Sequence, residues 1–277
     1  MIDHAIKTRS LLLFLGLAYG SIWGLFGLGE WLAIPFSMDP QTWGGAFYLI
    51  GAAIPSLSAL VAVLGVEKRK GLGVLLRRSF RWRFSPFWYL IAIATPFVVN
   101  GLNVLIAVTF LGARVPSQWY APAFGPGFLF FFLIYNGLGE EIGWRGLALP
   151  VLQRRLGSLG GSVAVGVLWA LWHLPLFWLR GSYQYGDSIL LFVSLLTCWS
   201  VIIGMLVGQG GGSILPAILL HEGANFIAFS FRYPGSYYGY LVWILAAVLA
   251  GPFLPRPLFK WPGRETDPTL SAENRII

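Results

Sequence analysis

Eight long apolar stretches dominate this chain, at about 11–36, 43–66, 86–111, 127–152, 161–179, 187–207, 213–232 and 236–255. A helix needs about 20 mostly apolar residues to cross the hydrocarbon core of a bilayer, and each stretch approaches or exceeds that length. Transmembrane β-strands would instead appear as ten-residue segments of alternating polarity, which are absent here. Composition agrees, with 57% hydrophobic and 11% charged residues and a mean hydropathy of +0.71, whereas charged residues make up about a quarter of an ordinary soluble domain. The expectation is an all-α, polytopic transmembrane bundle of about eight spans, forming one integral membrane domain over 1–277. The first ten residues carry charge but no small-residue cleavage pattern, so the first span reads as an uncleaved helix. Pro96, Pro150, Pro175 and Pro216 fall in or near spans and are expected to kink or end them.

The net charge of +8 does not indicate a nucleic-acid partner, because the basic residues sit between spans, as orientation signals do. Eight spans put both termini on one side. All but four of the 19 Lys and Arg fall on that side; the exceptions are Arg114, Arg180 and Arg232 opposite, and Arg145 within a span. This asymmetry predicts cytoplasmic termini, and the compact length suits a prokaryotic plasma membrane. The basic segment at about 67–85 reads equally well as a helix lying among anionic head groups or as a plain positive-inside loop. Gln209–Ser213 (QGGGS) reads as a tight cytoplasmic turn, and the polar tail at about 256–277 as loosely ordered. The one cysteine, Cys198, excludes an intramolecular disulfide and is expected to serve packing.

Ionisable groups at bilayer depth cost on the order of 2.5–3.5 kcal/mol each, so they usually face the bundle interior and serve a function. Three spans carry them. In Asn136-Gly-Leu-Gly-Glu140-Glu141-Ile-Gly-Trp-Arg145-Gly, Glu141 and Arg145 are four apart and can pair. Glu140, about 100° round the helix, is then free to point elsewhere. Two adjacent carboxylates near one guanidinium are a setting in which acid and base roles separate. The second motif, Trp169-Ala-Leu-Trp-His173-Leu-Pro175, holds one histidine in an apolar run. In the third, Leu220-His221-Glu222-Gly-Ala-Asn225, His221 and Asn225 share a helix face, so a proton acceptor and an amide donor can aim at one point. Glu222 is expected to point away from that face as a structural partner, and Glu30 to lie near the outer end of the first span. The zinc-protease pattern His-Glu-x-x-His fails because position 225 is Asn. A divalent metal such as zinc on Glu140, His173 and His221 stays open, since His₂Glu sets occur.

At these motifs the sequence resembles the CAAX-protease and bacteriocin-processing family of intramembrane proteases, which includes the prenyl-protein endopeptidases. The family pattern is Glu-Glu-x-x-x-Arg, then aromatic-x-x-x-His, then His-x-x-x-Asn, each on a separate helix. Here it falls on Glu140-Glu141…Arg145, Trp169…His173 and His221…Asn225, with flanking similarity over roughly 135–230 inside a family-like core at about 127–232. Trp169 stands where Phe is usual, a change between two large aromatics. The resemblance implies an intramembrane endopeptidase with a polar catalytic cavity inside the membrane. It implies Glu140 as general base on a water, His173 helping to orient it, His221 and Asn225 donating to the oxyanion, and Glu141 and Arg145 in support. It favours a metal-independent reaction without a cofactor, on a membrane-embedded or lipidated peptide or protein, with a prenylated tail as one option. Two other classes stay open: a non-proteolytic immunity or scaffold protein that binds a peptide, and a proton-coupled transporter. No residue specifies an oligomeric state.

Overall fold

The computed structural model describes residues 6–39, 41–115, 117–120, 135–231 and 236–254. The stretch 127–134 of the expected fourth span and the tail 256–277 lie outside the described residues. The rest is a helix bundle. Helix α1 covers Thr8–Trp31, α2 Trp43–Ser79, α3 Pro86–Leu111, α4 Tyr135–Trp172, α5 Ile189–Gln209, α6 Leu215–Ser230 and α7 Ser236–Ala250. The only strand-like pairing among the described residues is an isolated bridge between Tyr120 and Phe231. Helices α1 to α5 are long and apolar enough to cross a membrane. The last two, at 16 and 15 residues, are shorter than the expected spans 213–232 and 236–255.

Two helices fold back on themselves. In α4, Gly157 adopts φ 76° and ψ 172°, and a Cβ on Gly161 would lie 2.5 Å from the Gln153 backbone. Eight residues of straight helix would separate those positions by about 12 Å. The expected fourth and fifth spans are therefore two antiparallel arms joined by one residue. The second arm ends at Trp172 rather than near 179, because Pro175 cannot continue it and Leu174–Phe177 form a short 3₁₀ turn. Lys68 makes the same kind of break in α2, with φ 60° and ψ −164°. Beyond it the basic segment is helical as far as Ser79, with Leu75 and Ser79 buried and the Arg78 guanidinium donating to the Gly146 carbonyl. Part of that segment is thus packed into the protein instead of lying flat among head groups. The expected turn at Gln209–Ser213 is formed, with Gly211 and Gly212 both at positive φ.

Small residues let the first arm of α4 settle onto α2. A Cβ on Gly139 would come within 2.4 Å of the Ala52 carbonyl oxygen, and one on Gly143 within 2.6 Å of the Pro55 carbonyl oxygen. These glycines form the small-xxx-small stripe that membrane helices use for close backbone approach. Elsewhere α1 packs on α2, the second arm of α4 on α5, and α3 on α6 and α7.

Candidate active site

Glu140 and Glu141 stand at the entry to a π-helical turn, Ile142–Ala148. Wide turns of this kind recur at functional sites because they re-aim the side chains beside them. Glu141 points into the bundle, fully buried, and its Oε1 accepts from Arg145 at 2.9 Å and from His221 Nδ1 at 2.9 Å. One carboxylate oxygen therefore joins α4 to α6. Arg145 is equally buried, and its guanidinium carbon lies 4.0 Å from the centre of the Trp169 ring, a cation–π contact that supplies a second partner for the charge.

Glu140 points elsewhere, as its 100° offset requires. It lines a cavity of about 110 Å³, and its Oε2 accepts a 2.6 Å hydrogen bond from the Trp169 indole Nε1. His173, the residue that caps the second arm of α4, lines the same cavity. Its Nδ1 lies 2.8 Å from the Trp169 carbonyl oxygen. A carbonyl can only accept, so Nδ1 carries the proton, and in the neutral ring Nε2 is the lone pair that remains available. By the same logic His221 donates Nδ1–H to Glu141, leaving Nε2 for the cavity. Aromatic edges hold both imidazoles: Trp172 stands 4.7 Å from His173, and Trp169 4.9 Å from His221, between ring centroids.

Asn225 reaches the cavity, but its amide is not free as the helix-face argument expected. Its Nδ2 lies 3.3 Å from Glu222 Oε2, and Glu222 Oε1 lies 3.8 Å from His221 Nδ1. The expectation that Glu222 points away is therefore wrong. A 100° offset carries a side chain off a one-sided face, but here α4 covers the adjacent side as well: a Cβ on Gly137 would come within 3.1 Å of Glu222 Cγ. Glu30 is exposed at the C-terminal end of α1 and does not line this cavity.

The sequence reading also missed Tyr48 and Asn136, which line the cavity with Asn136 Nδ2 donating to the Tyr48 hydroxyl at 3.0 Å. The Asn136 Oδ1 is buried and has no hydrogen-bond partner. An amide at membrane depth beside the two glutamates was the available signal for it; Tyr48 gave none. The change from Phe to Trp at 169 also matters more than size suggests, since Phe could not donate to Glu140. Among the described residues no three His, Cys, Asp or Glu side chains gather as a metal-binding set. Glu140, His173 and His221 as they stand do not form one.

Two comparisons report what the chain is similar to. The family described as type II CAAX prenyl endopeptidase Rce1-like matches residues 121–227, the stretch that holds all three motifs. CAAX prenyl protease 2 of Methanococcus maripaludis is 28% identical over 212 residues, covering 69% of this chain and 75% of that protein. The chain is similar to type II CAAX prenyl endopeptidases over these residues. One cavity receives Glu140 and His173 from the two arms of α4 and His221 and Asn225 from α6. The α4 hairpin supplies two of the motifs, which is why a one-residue reversal at Gly157 is part of the site's construction.

Proposed function

We propose that this protease hydrolyses a peptide bond of a membrane-associated substrate with a water activated by Glu140, without a metal or other cofactor. The observation that carries the reading is the convergence of Glu140, His173, His221 and Asn225 on one cavity from three helical segments. Trp169 holds Oε2 of Glu140, which leaves Oε1 to take a proton from water. The lone pair on His173 Nε2 orients the same water through its second hydrogen. Attack on the substrate carbonyl forms a tetrahedral intermediate, and its oxyanion accepts from His221 Nε2–H in the doubly protonated ring and from the second amide hydrogen of Asn225. One well-placed donor of this kind contributes roughly 3–4 kcal/mol. Glu140 then returns the proton to the departing amine, so the enzyme ends as it began. Glu141 and Arg145 keep the His221 ring in register and do not touch the substrate.

The charge asymmetry of the loops supports an orientation with both termini in the cytoplasm. The names of the matched family and relative make a prenylated peptide the first substrate to try.

The test is hydrolysis of a prenylated, membrane-presented peptide by purified protein. Glu140→Gln should lower turnover by about 10²–10⁴-fold, the usual worth of a positioned general base. His173→Ala and His221→Ala should each fall well below wild type, and a strong chelator should leave wild-type turnover unchanged. Equal turnover by the wild type and all three variants would sink the reading, and loss of activity on chelation would sink its metal-independent form.

A further inference from the structure

Among the described residues, the exposed lining of the cavity lies at the end of the bundle away from the basic loops. Its rim is formed by Phe36 and Met38 between α1 and α2, Tyr183 and Gln184 after α4, and Phe229 near the end of α6. Tyr183 and Phe229 meet across it with ring centroids 4.8 Å apart. From Phe229 down to His221 is eight helical residues, about 12 Å.

Among the described residues, the opposite direction is filled by packed side chains. One turn below Glu140, Trp144 is fully buried and packs edge-on against Phe14 at 5.1 Å and Trp172 at 6.3 Å; Leu75 and Leu147 fill the same layer with no exposure. Beneath this floor the loops are tied together. The Ile214 amide donates to the Ser79 carbonyl at 3.0 Å, the Lys7 amide to Glu67 at 2.9 Å, and Arg154 to the Ile6 carbonyl. A peptide cannot reach Glu140 from that end without opening a packed aromatic layer.

Charge assigns the two ends to the two sides of the membrane. Between residues 68 and 83 alone there are seven Lys and Arg, and Arg154 and Arg155 lie at the same end. Among the described residues, the mouth end has Arg114 and Arg180 against Glu30, Asp39 and Asp187. Loops this rich in Lys and Arg stay in the cytoplasm. We infer that the substrate enters from the extracytoplasmic side. Its class is a bilayer-anchored polypeptide whose scissile bond lies at or just within the outer leaflet, in contrast to a cytoplasmic lipidated tail. The inference rests on the proposed reaction for the identity of the reacting groups, and on topology for the side.

The test reads topology without activity. In a Cys198→Ala background, single cysteines are placed at Asp39 and Gln184 at the mouth and at Arg155 at the basic end, and treated with a membrane-impermeant maleimide. In intact cells Asp39→Cys and Gln184→Cys should label and Arg155→Cys should not, and in inverted vesicles the pattern should reverse. Labelling of the mouth cysteines only in inverted vesicles would overturn the inference whatever the enzyme does. A second arm supplies a fluorogenic farnesylated peptide to right-side-out or to inverted vesicles, with detergent-solubilised protein in parallel. Cleavage is expected in right-side-out vesicles, with loss of cleavage for Glu140→Gln. Cleavage in detergent and in inverted vesicles but not in right-side-out vesicles would refute the sidedness and leave the reaction standing. Equal turnover by Glu140→Gln and wild type in detergent would refute the reaction and leave the labelling result intact.

Discussion

Replacing Trp169 by Phe isolates one hydrogen bond at the centre of the site. The indole Nε1 donates to Glu140 Oε2 at 2.6 Å inside the bundle, and a hydrogen bond to a charged group contributes about 1.5–3 kcal/mol. Phe retains an aromatic face for Arg145 and edges for both imidazoles, so those contacts weaken but persist; Trp is the better cation–π partner by a few tenths of a kcal/mol at least. Loss of the larger ring adds a small cavity term. The sum predicts destabilisation of about 2–4 kcal/mol, measured by reversible denaturant unfolding in a mild detergent with Trp169→Phe, Glu140→Ala and the double variant. The cycle removes the packing terms and should return a coupling energy of about 1.5–3 kcal/mol. A coupling within about 0.5 kcal/mol of zero, the range of additive sites, would refute the reasoning, because it would mean that Trp169 does not hold Glu140. Turnover should survive the substitution within about tenfold, equivalent to 1.4 kcal/mol, since Phe is the usual residue of the resembling family at this place.

Other substitutions test the scaffold. Gly143→Ala sets a methyl group 2.6 Å from the Pro55 carbonyl oxygen and 2.9 Å from the Phe14 ring, and overpacking of this sort costs about 1–3 kcal/mol; a lowered unfolding midpoint with unchanged secondary structure is the expected result. Lys68 and Gly157 make a matched pair, since both occupy a backbone region open essentially to glycine alone, at a cost of about 1–3 kcal/mol for other residues. Lys68→Gly should therefore raise the unfolding midpoint, and Gly157→Ala should lower it and also reduce activity, because the second break aligns two site motifs and the first does not.

The second and third spans were legible almost to the residue, since uniform apolarity needs only counting and their ends coincide with Thr42, the charged run at Lys68 or Pro86, whereas the first, expected at about 11–36, covers Thr8–Trp31. The division of 127–179 into two spans was also legible. Its turn was not, because a single glycine in a Gly-rich apolar run carries no distinguishing signal. At the site, the Glu141–Arg145 pair followed from four-residue spacing. Glu222 did not, because helical offset reports direction only relative to the same helix, while its partners are set by how α4 and α6 cross. The role of Trp169 was hidden for a related reason. Its ring could be read as bulk from sequence, but the target of an indole N–H is a tertiary fact.

The buried Arg145 also has a consequence for how the protein is made. The first arm of α4 carries Glu140, Glu141 and Arg145, and even the most apolar window of α4 reaches a mean hydropathy of only 1.2, against 1.9 to 2.5 in the other four long helices. Alone in the bilayer it would expose Glu140, Glu141 and Arg145 to lipid. The glycine stripe gives it a surface to dock on only when α2 is already in place, and the Glu141–Arg145 pair can form within the segment itself. During synthesis this segment is therefore expected to wait at the insertion machinery for its predecessors and to enter the membrane as a passenger of α2. A variant with a weakened α2 contact should lose the catalytic helix at insertion, before any question of chemistry arises.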